Sequence, residues 1–435
     1  MKYFILTAFL IVVFTVNSVS AAPPKRRVFR PGEAPVEISI EDVVERLKTE
    51  NFTVYENALR VYQTKEAIEI ARGNLLPKLN LWRIASVVVD PLSIVGVIED
   101  IAPFLVPNNW FRLEEAKILN LAQAEAYRAL WANELMTAKA LYFRLLFDRA
   151  LLEHIKQTAT ELEDLHLIIK SREELGGAPQ GASRDIEVRM LSLQEDRRAL
   201  EMLLLEEQNL LSHMMDLSAD ELVTPVAVKL PKFEDLKPLK VSEFEARVLA
   251  TSPEIKQFEH LISAADYVKN EAAFSFLGAS SVSRSVAGGI FDSLPVQNGL
   301  GFGTPASMRI VSAQKEILES QKNGIFETVR RQLKLLVNGY NLDIENYANL
   351  ERRQDLTRAS IEQLFERMRL GQDVEMRLLV ESCRDHMQAS TAFLAVKFRF
   401  LANEDRFSRL TFLGDYARSP DYMGQLKKTK SLDRH

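Results

Sequence analysis

The side chains able to do chemistry are few and scattered. The six histidines are His154, His166, His213, His260, His386 and His435, and none forms an HExxH or other dense ligand pattern. Their spacing predicts helix-face histidines, not a metal centre. Cys383 is the only cysteine. That excludes an intramolecular disulfide and any zinc site built from several thiolates. On an apolar helix face it reads as a small buried side chain. Gly299-x-Gly301-x-Gly303 lacks the dinucleotide-binding spacing and runs into Pro305 instead of opening a helix directly. There is no P-loop and no nucleophile elbow. The 60 Asp and Glu residues are spread along long helical stretches, where they serve solubility. No constellation supports an enzyme, and no cofactor or metal is expected. A formal charge of −5 argues against nucleic acid, which needs a concentrated basic face.

The elements behind these residues are few and long. The chain has 435 residues, 47% hydrophobic and 26% charged, and its 17 Gly and 16 Pro cluster outside the uninterrupted stretches. Ser39 is placed to cap a short helix over Glu41–Glu50, and Val54–Asn74 is a longer one. From Arg112 to Leu175 there is no Pro and no Gly. A helix over that stretch would reach about 95 Å at about 1.5 Å per residue. Leu151, Ile155, Thr158, Leu162, Leu165 and Ile169 recur at alternating spacings of four and three, a coiled-coil seam. Nearer the start, Ala116, Ala122, Ala124, Ala126, Ala129 and Ala132 allow close helix approach. The segment Gly176-Gly177-Ala178-Pro179-Gln180-Gly181 stops the helix. Ser183 reads as the next cap, with Asp185 near the positive helix end. Asp185–Met215 then returns with Ile186, Met190, Leu193, Leu200, Leu204 and Leu211 on one stripe, and with Arg197 and Glu207 in the seam. A short turn between such helices makes them antiparallel neighbours.

The pattern then repeats. Residues 242–277 restate the organisation of 39–79, a duplicated architectural unit. Ala250–Ala273 is helical, Phe274–Ala306 is an insert, and Ser307–Leu370 is again long and Pro-free. Gly371 makes a second turn. Val374–Leu413 returns with Met376, Val380, Cys383, Met387, Leu394 and Leu401 at heptad spacing. The expected organisation is therefore a signal peptide over 1–22 and a basic, Pro-rich leader over 23–38. The first repeat follows over 39–216 with an insert at 79–110, then a linker over 217–240. The second repeat spans 241–414 with an insert at 274–306, and a polar tail covers 415–435. The signal reading rests on Lys2, the apolar Phe4–Val16 and the small-residue site Val19-Ser20-Ala21. The fold class is mainly α: two tandem repeats of long antiparallel coiled-coil helices, each with a short β or apolar insert.

Several segments together resemble the TolC-like outer-membrane efflux protein family. They are Leu75-Leu76-Pro77-Lys78-Leu79, Thr251-Ser252-Pro253-Glu254-Ile255, Gly299-Leu300-Gly301-Phe302 ahead of Ala313-Gln314, and Arg369-Leu370-Gly371 ahead of Leu378-Leu379. The likeness covers roughly residues 39–414. It implies a homotrimeric tube whose long helices cross the periplasm and whose inserts give strands to an outer-membrane β-barrel. It also implies the exit duct of a tripartite efflux or type I secretion system, with a periplasmic adaptor and an inner-membrane transporter as partners. Conduction would be passive, gated by untwisting near Gly176–Asp185 and Arg369–Arg377. The candidate gate and turn residues are Gly176, Gly177, Asp185, Gly371, Asp373 and Arg377. The family's acidic tip positions fall on Arg377 and Val380, with Asp373, Glu375 and Glu381 nearby and Asp185 and Glu187 in the first half. All of these also read as solvated helix-end charges, with Asp185 serving the helix dipole.

The candidate membrane-insert residues are Leu79, Trp82, Val87, Val89 and Phe302. A membrane strand needs about 9–11 alternating residues with aromatic girdles. Val87-Val88-Val89 breaks that alternation, and 279–303 is small, polar and nearly free of aromatics. Two strands fit in each insert, while Trp82–Val106 also reads as a helical or interfacial hairpin. The alternative function is thus a barrel-deficient periplasmic or membrane-associated coiled-coil scaffold without pore activity.

Overall fold

A computed structural model describes residues 36–76, 103–218, 221–275, 303–372 and 374–421. The proposed signal peptide and most of the leader lie outside these residues. So do Leu79, Trp82, Val87, Val89, Phe302 and Asp373.

Each half begins with a capped pair of helices. Ser39 accepts from the Asp42 amide (3.1 Å), and the Asp42 carboxylate accepts from the Ser39 amide (3.0 Å). This capping box starts α1, Ile40–Glu50. Asn51 ends α1 and caps α2, Phe52–Gly73, by accepting from the Val54 amide at 2.9 Å. In the second half the expected single helix over Ala250–Ala273 is two helices. Counting α3 and α4 for the hairpin between them, these are α5, Val241–Thr251, and α6, Pro253–Ala273. Ser252 caps α6 with Pro253 in its first turn, so the chain bends at the Ser-Pro step instead of running through it.

The long hairpins follow. The first is α3, Pro107–Glu174, with α4, Ala182–Met214. The second is α7, Thr304–Arg369, with α8, Met376–Thr411. Helix lengths of 11, 22, 68 and 33 residues in the first half answer 11, 21, 66 and 36 in the second. The duplication is thus structural. At 68 residues α3 is about 100 Å long.

α3 is the spine. It packs against α2 and α6 nearer its start and against α4 and α8 beyond, while α7 packs on α6 and α8. The lateral order of the hairpin helices is therefore α4, α3, α8, α7. The predicted α3–α4 seam is in the core: Ile155, Leu162, Leu165 and Ile169 bury against Ile186, Leu193, Leu200, Leu204 and Leu211. Arg197 leaves that seam and pairs with Glu201 at 3.4 Å on the exposed side. The α8 heptad is only partly right. Leu379, Ala389, Phe393, Val396, Phe400 and Leu401 are buried, whereas Val380, Met387 and Leu394 are half-covered. A helix packed between two others buries a wide face, and a single heptad stripe describes only its boundary.

Midway along α3, residues 36–38, the linker and the segment after α8 converge. Strand β1, Val36–Ile38, pairs in parallel with β2, Val223–Pro225, from the linker. The assigned leader therefore ends inside a strand, whose three residues are too few to show alternation. The Tyr142 hydroxyl sits between the carbonyls of Val226 (2.6 Å) and Ile38 (3.0 Å), and Arg149 donates to the Pro225 carbonyl at 2.9 Å. After α8 the chain turns back through Phe412 and Gly414 into a short 3-10 turn, Gly414–Ala417. Tyr416, assigned to the polar tail, is buried edge-on against Trp131 at 6.3 Å. Lys139 fastens this strap through Asp405 (3.1 Å) and Asp415 (2.6 Å).

Candidate functional site: the paired hairpin tips

The first tip is built by three glycines and one carboxylate. Gly176 has φ +74° and Gly181 φ +92°, left-handed values that end α3 and start α4. The Gly177 amide donates to the Arg172 carbonyl at 2.7 Å, closing the last turn of α3. Ser183 is not the cap of α4. Gly181 holds that position, and the Glu173 carboxylate reaches across the turn to accept from the Gly181 and Ser183 amides, the latter at 3.2 Å. Those hydrogen bonds, the Gly181 amide's first, hold the Glu173 carboxyl below the usual range.

The second tip uses Gly371 at φ +80°. The Gln372 amide donates to the Arg367 carbonyl at 3.0 Å, and the Arg367 guanidinium donates to the Gln372 side chain at 3.1 Å. Arg172 joins the two tips by donating to the Met368 carbonyl at 2.9 Å. Between them lies a crevice of about 530 Å³ lined by Arg172, Gly176, Gly177, Ala178, Pro179 and Gly371.

Three of the six sequence-derived gate residues, Gly176, Gly177 and Gly371, therefore meet in one crevice. Asp185 lies exposed in the first turn of α4. Arg377 lies exposed in the first turn of α8 and pairs with Glu381 at 3.1 Å. Neither lines the crevice.

Higher on the same hairpins is a second recess, of about 590 Å³, between α3, α7 and α8. His154 and His386 meet there with ring centroids 5.9 Å apart, and Thr357 Oγ1 lies 3.2 Å from His386 Nδ1. Burial holds both imidazoles below the usual histidine range. Sequence reasoning missed this pairing, because the two residues come from different repeats. Among the described residues no group of three His, Cys, Asp or Glu could hold a metal ion. Cys383 is half-buried, and burial pushes its thiol up to about 11. No described helix is long and apolar enough to cross a membrane.

No family model matches the chain, and no curated protein matches its sequence. Its structure does have relatives. The CmeC outer membrane channel of Campylobacter jejuni matches over 90% of this chain and 89% of its own, with TM-score 0.70 at 12% identity. A membrane protein from Pseudomonas aeruginosa matches over 91% and 97%, with TM-score 0.70 at 15% identity. The open state of the Neisseria gonorrhoeae MtrE outer membrane channel matches over 86% and 89%, with TM-score 0.65 at 13% identity. These likenesses span both repeats and both hairpins, and they bear out the fold that the sequence segments implied: this chain has the fold of the TolC-like outer-membrane channels.

Proposed function

We propose that this protein is the protomer of an outer-membrane exit duct that conducts passively through a homotrimeric helical tube. The observation that carries the reading is the near end-to-end match to solved outer membrane channels. The inserts at 79–110 and 274–306 each have the length for two strands of about 9–11 residues, as a shared barrel requires. The tube's far end is the pair of hairpin tips, where Gly176, Gly177 and Gly371 let the helices part without breaking them. Asp185, Asp373 and Arg377 set the charge around that aperture. A periplasmic adaptor and an inner-membrane transporter complete the system.

The protomer's edges support a ring. Along α4, Val188, Leu191, Met202 and Leu205 are 41–67% exposed, in two pairs set two heptads apart. Along α7, Ile310, Ile317, Leu335, Leu342 and Leu356 are 43–71% exposed on one stripe. α4 and α7 are the outer members of the four-helix row, so each edge offers an uncovered apolar seam. Two different seams on opposite edges pair head to tail, the geometry that closes into a ring.

The test is membrane fractionation followed by reconstitution in planar bilayers. Outer-membrane recovery and a conductance lost on deleting residues 79–102 are expected. A chain that stays monomeric, leaves the membrane fraction and gives no conductance would sink the proposal.

A further inference from the structure

The two hairpins carry the same acid at the same place but satisfy it differently. Asp148 on α3 and Asp343 on α7 each lie 28 residues ahead of their turn glycine, Gly176 or Gly371. Both are buried between the paired helices. Asp343 is answered by three donors: Arg399 Nε at 2.9 Å, Arg399 Nη2, and Asn403 Nδ2 at 3.1 Å. Asp148 is answered by another acid. Glu207 on α4 faces it, the two being 4% and 3% exposed. Asp148 Oδ2 and both Glu207 oxygens are buried without a well-directed donor among the described residues. Arg144 leans over the pair from a largely exposed position, 2.5 Å from Glu207 and 3.7 Å from Asp148.

Two carboxylates cannot hydrogen-bond to each other, because each only accepts. Buried in contact, they cannot both ionise cheaply, and one guanidinium cannot offset both charges and their lost hydration. A proton between them supplies the missing donor. We propose that Asp148 and Glu207 form a proton-operated latch between α3 and α4: one shared proton clamps α4 onto α3, and its loss releases α4 while α7 and α8 stay paired. The proposal does not rest on the duct reading.

The surroundings agree. Burial first, then the Asp148 charge, pushes Glu207 up to about 7, against the pull of Arg144 and with a small push from Glu206. Burial likewise raises Asp148, opposed by the Glu207 hydrogen bond and by Arg144. Arg144 and Asp148 on α3 and Glu206 on α4 are the charged groups acting on Glu207. The neighbouring linker presents an uncharged carbonyl, Val223, to Gln208, and α8 meets α3 here through Phe398 on Phe147, with Arg399 and Arg406 lining the same recess as Arg144. With α4 released, Glu207 returns toward its ordinary value of 4.5. The docked state thus binds the proton more tightly. Docking is strongest at or below the ordinary value, weakens as pH rises toward about 7, and levels off above it.

The experiment uses the full chain in detergent micelles. pH-difference infrared spectroscopy should show a protonated-carboxyl band that vanishes with a midpoint near neutrality. Glu207→Gln and Asp148→Asn should each remove it, and Asp343→Asn should leave it intact. Hydrogen exchange across residues 200–214, corrected for intrinsic rates, should rise on the order of 100-fold from about pH 5 to about pH 8 in the native chain, and under about threefold in Glu207→Gln. Asp148→Asn repeats the exchange test if Glu207→Gln does not fold. Absence of a carboxyl band titrating near neutrality, survival of that band in Glu207→Gln, or equal pH dependence in native and variant chains would overturn the latch.

Discussion

At Gly176 the backbone is left-handed and the surroundings are open: nothing lies within 4 Å of a Cβ added there. The glycine is required by conformation and not by space. Gly176→Ala should therefore weaken the first tip by roughly 1–2 kcal/mol, the cost of a Cβ in that region. Denaturant titration would read it, together with faster amide exchange over residues 172–184. Gly324 is the contrast. It is helical in the middle of α7, again with nothing within 4 Å. Gly324→Ala should stabilise by about 0.5–1 kcal/mol, because alanine loses less chain entropy. Matching signs at the two positions would mean that the tip is not held in the left-handed turn. Glu173 shows what residue types alone conceal. Its role as cap for α4 depends on a turn that brings residues eight and ten positions ahead back to its carboxylate.

At the scale of elements, the small parallel sheet is the joint that ties residues 36–38 and the linker to the long hairpin of the first repeat, and Tyr142 is its bolt. Tyr142→Phe removes a hydroxyl shared by the Ile38 carbonyl, which keeps the Val226 amide, and the part-buried Val226 carbonyl, so the cost is about 0.5–1.5 kcal/mol. A lowered thermal midpoint with the protomer still helical is the expected result. Burial pushes the Tyr142 phenol up to about 12, so it stays protonated through neutral pH and the loss should be the same at about pH 6 and about pH 9. An unchanged midpoint would show that the strands hold without it. The sheet also marks where the sequence stopped being legible. Long periodic stretches gave α3, α4, α7 and α8, because tens of residues vote for each seam. The Gly turns gave the tips. Three-residue strands and the Tyr416 strap left no periodic trace, since each is fixed by partners far along the chain, and the bend at Ser252 rests on a local Ser-Pro cap that periodicity does not register. Glu207 was legible as a charge in the α4 seam, and Asp148 only as a charge. Their meeting across α3 and α4 needed the register of the hairpin.

At the scale of the whole molecule, the question is what covers the two exposed seams. The row α4, α3, α8, α7 ends in an apolar stripe on each side, and the stripes differ in composition and spacing. A single protomer would leave leucines such as Leu335, 71% exposed, in water along both edges. Pairing the α4 edge of one copy with the α7 edge of the next removes both at once. A charge placed in either seam must then be desolvated at the junction without a partner. Leu191→Glu and Leu356→Lys should each convert the assembly to monomers while leaving the helical circular dichroism unchanged, because both side chains point away from the protomer core. The double variant sets glutamate and lysine at similar heights above the tips, ten residues past Gly181 and fifteen before Gly371. It should regain assembly in a head-to-tail ring and not in a two-fold pairing of like edges. In a like-edge pairing Leu191→Glu would face the α4 edge of the other copy, and adding Leu356→Lys would restore nothing. Sedimentation velocity of the four proteins in one detergent decides between these geometries.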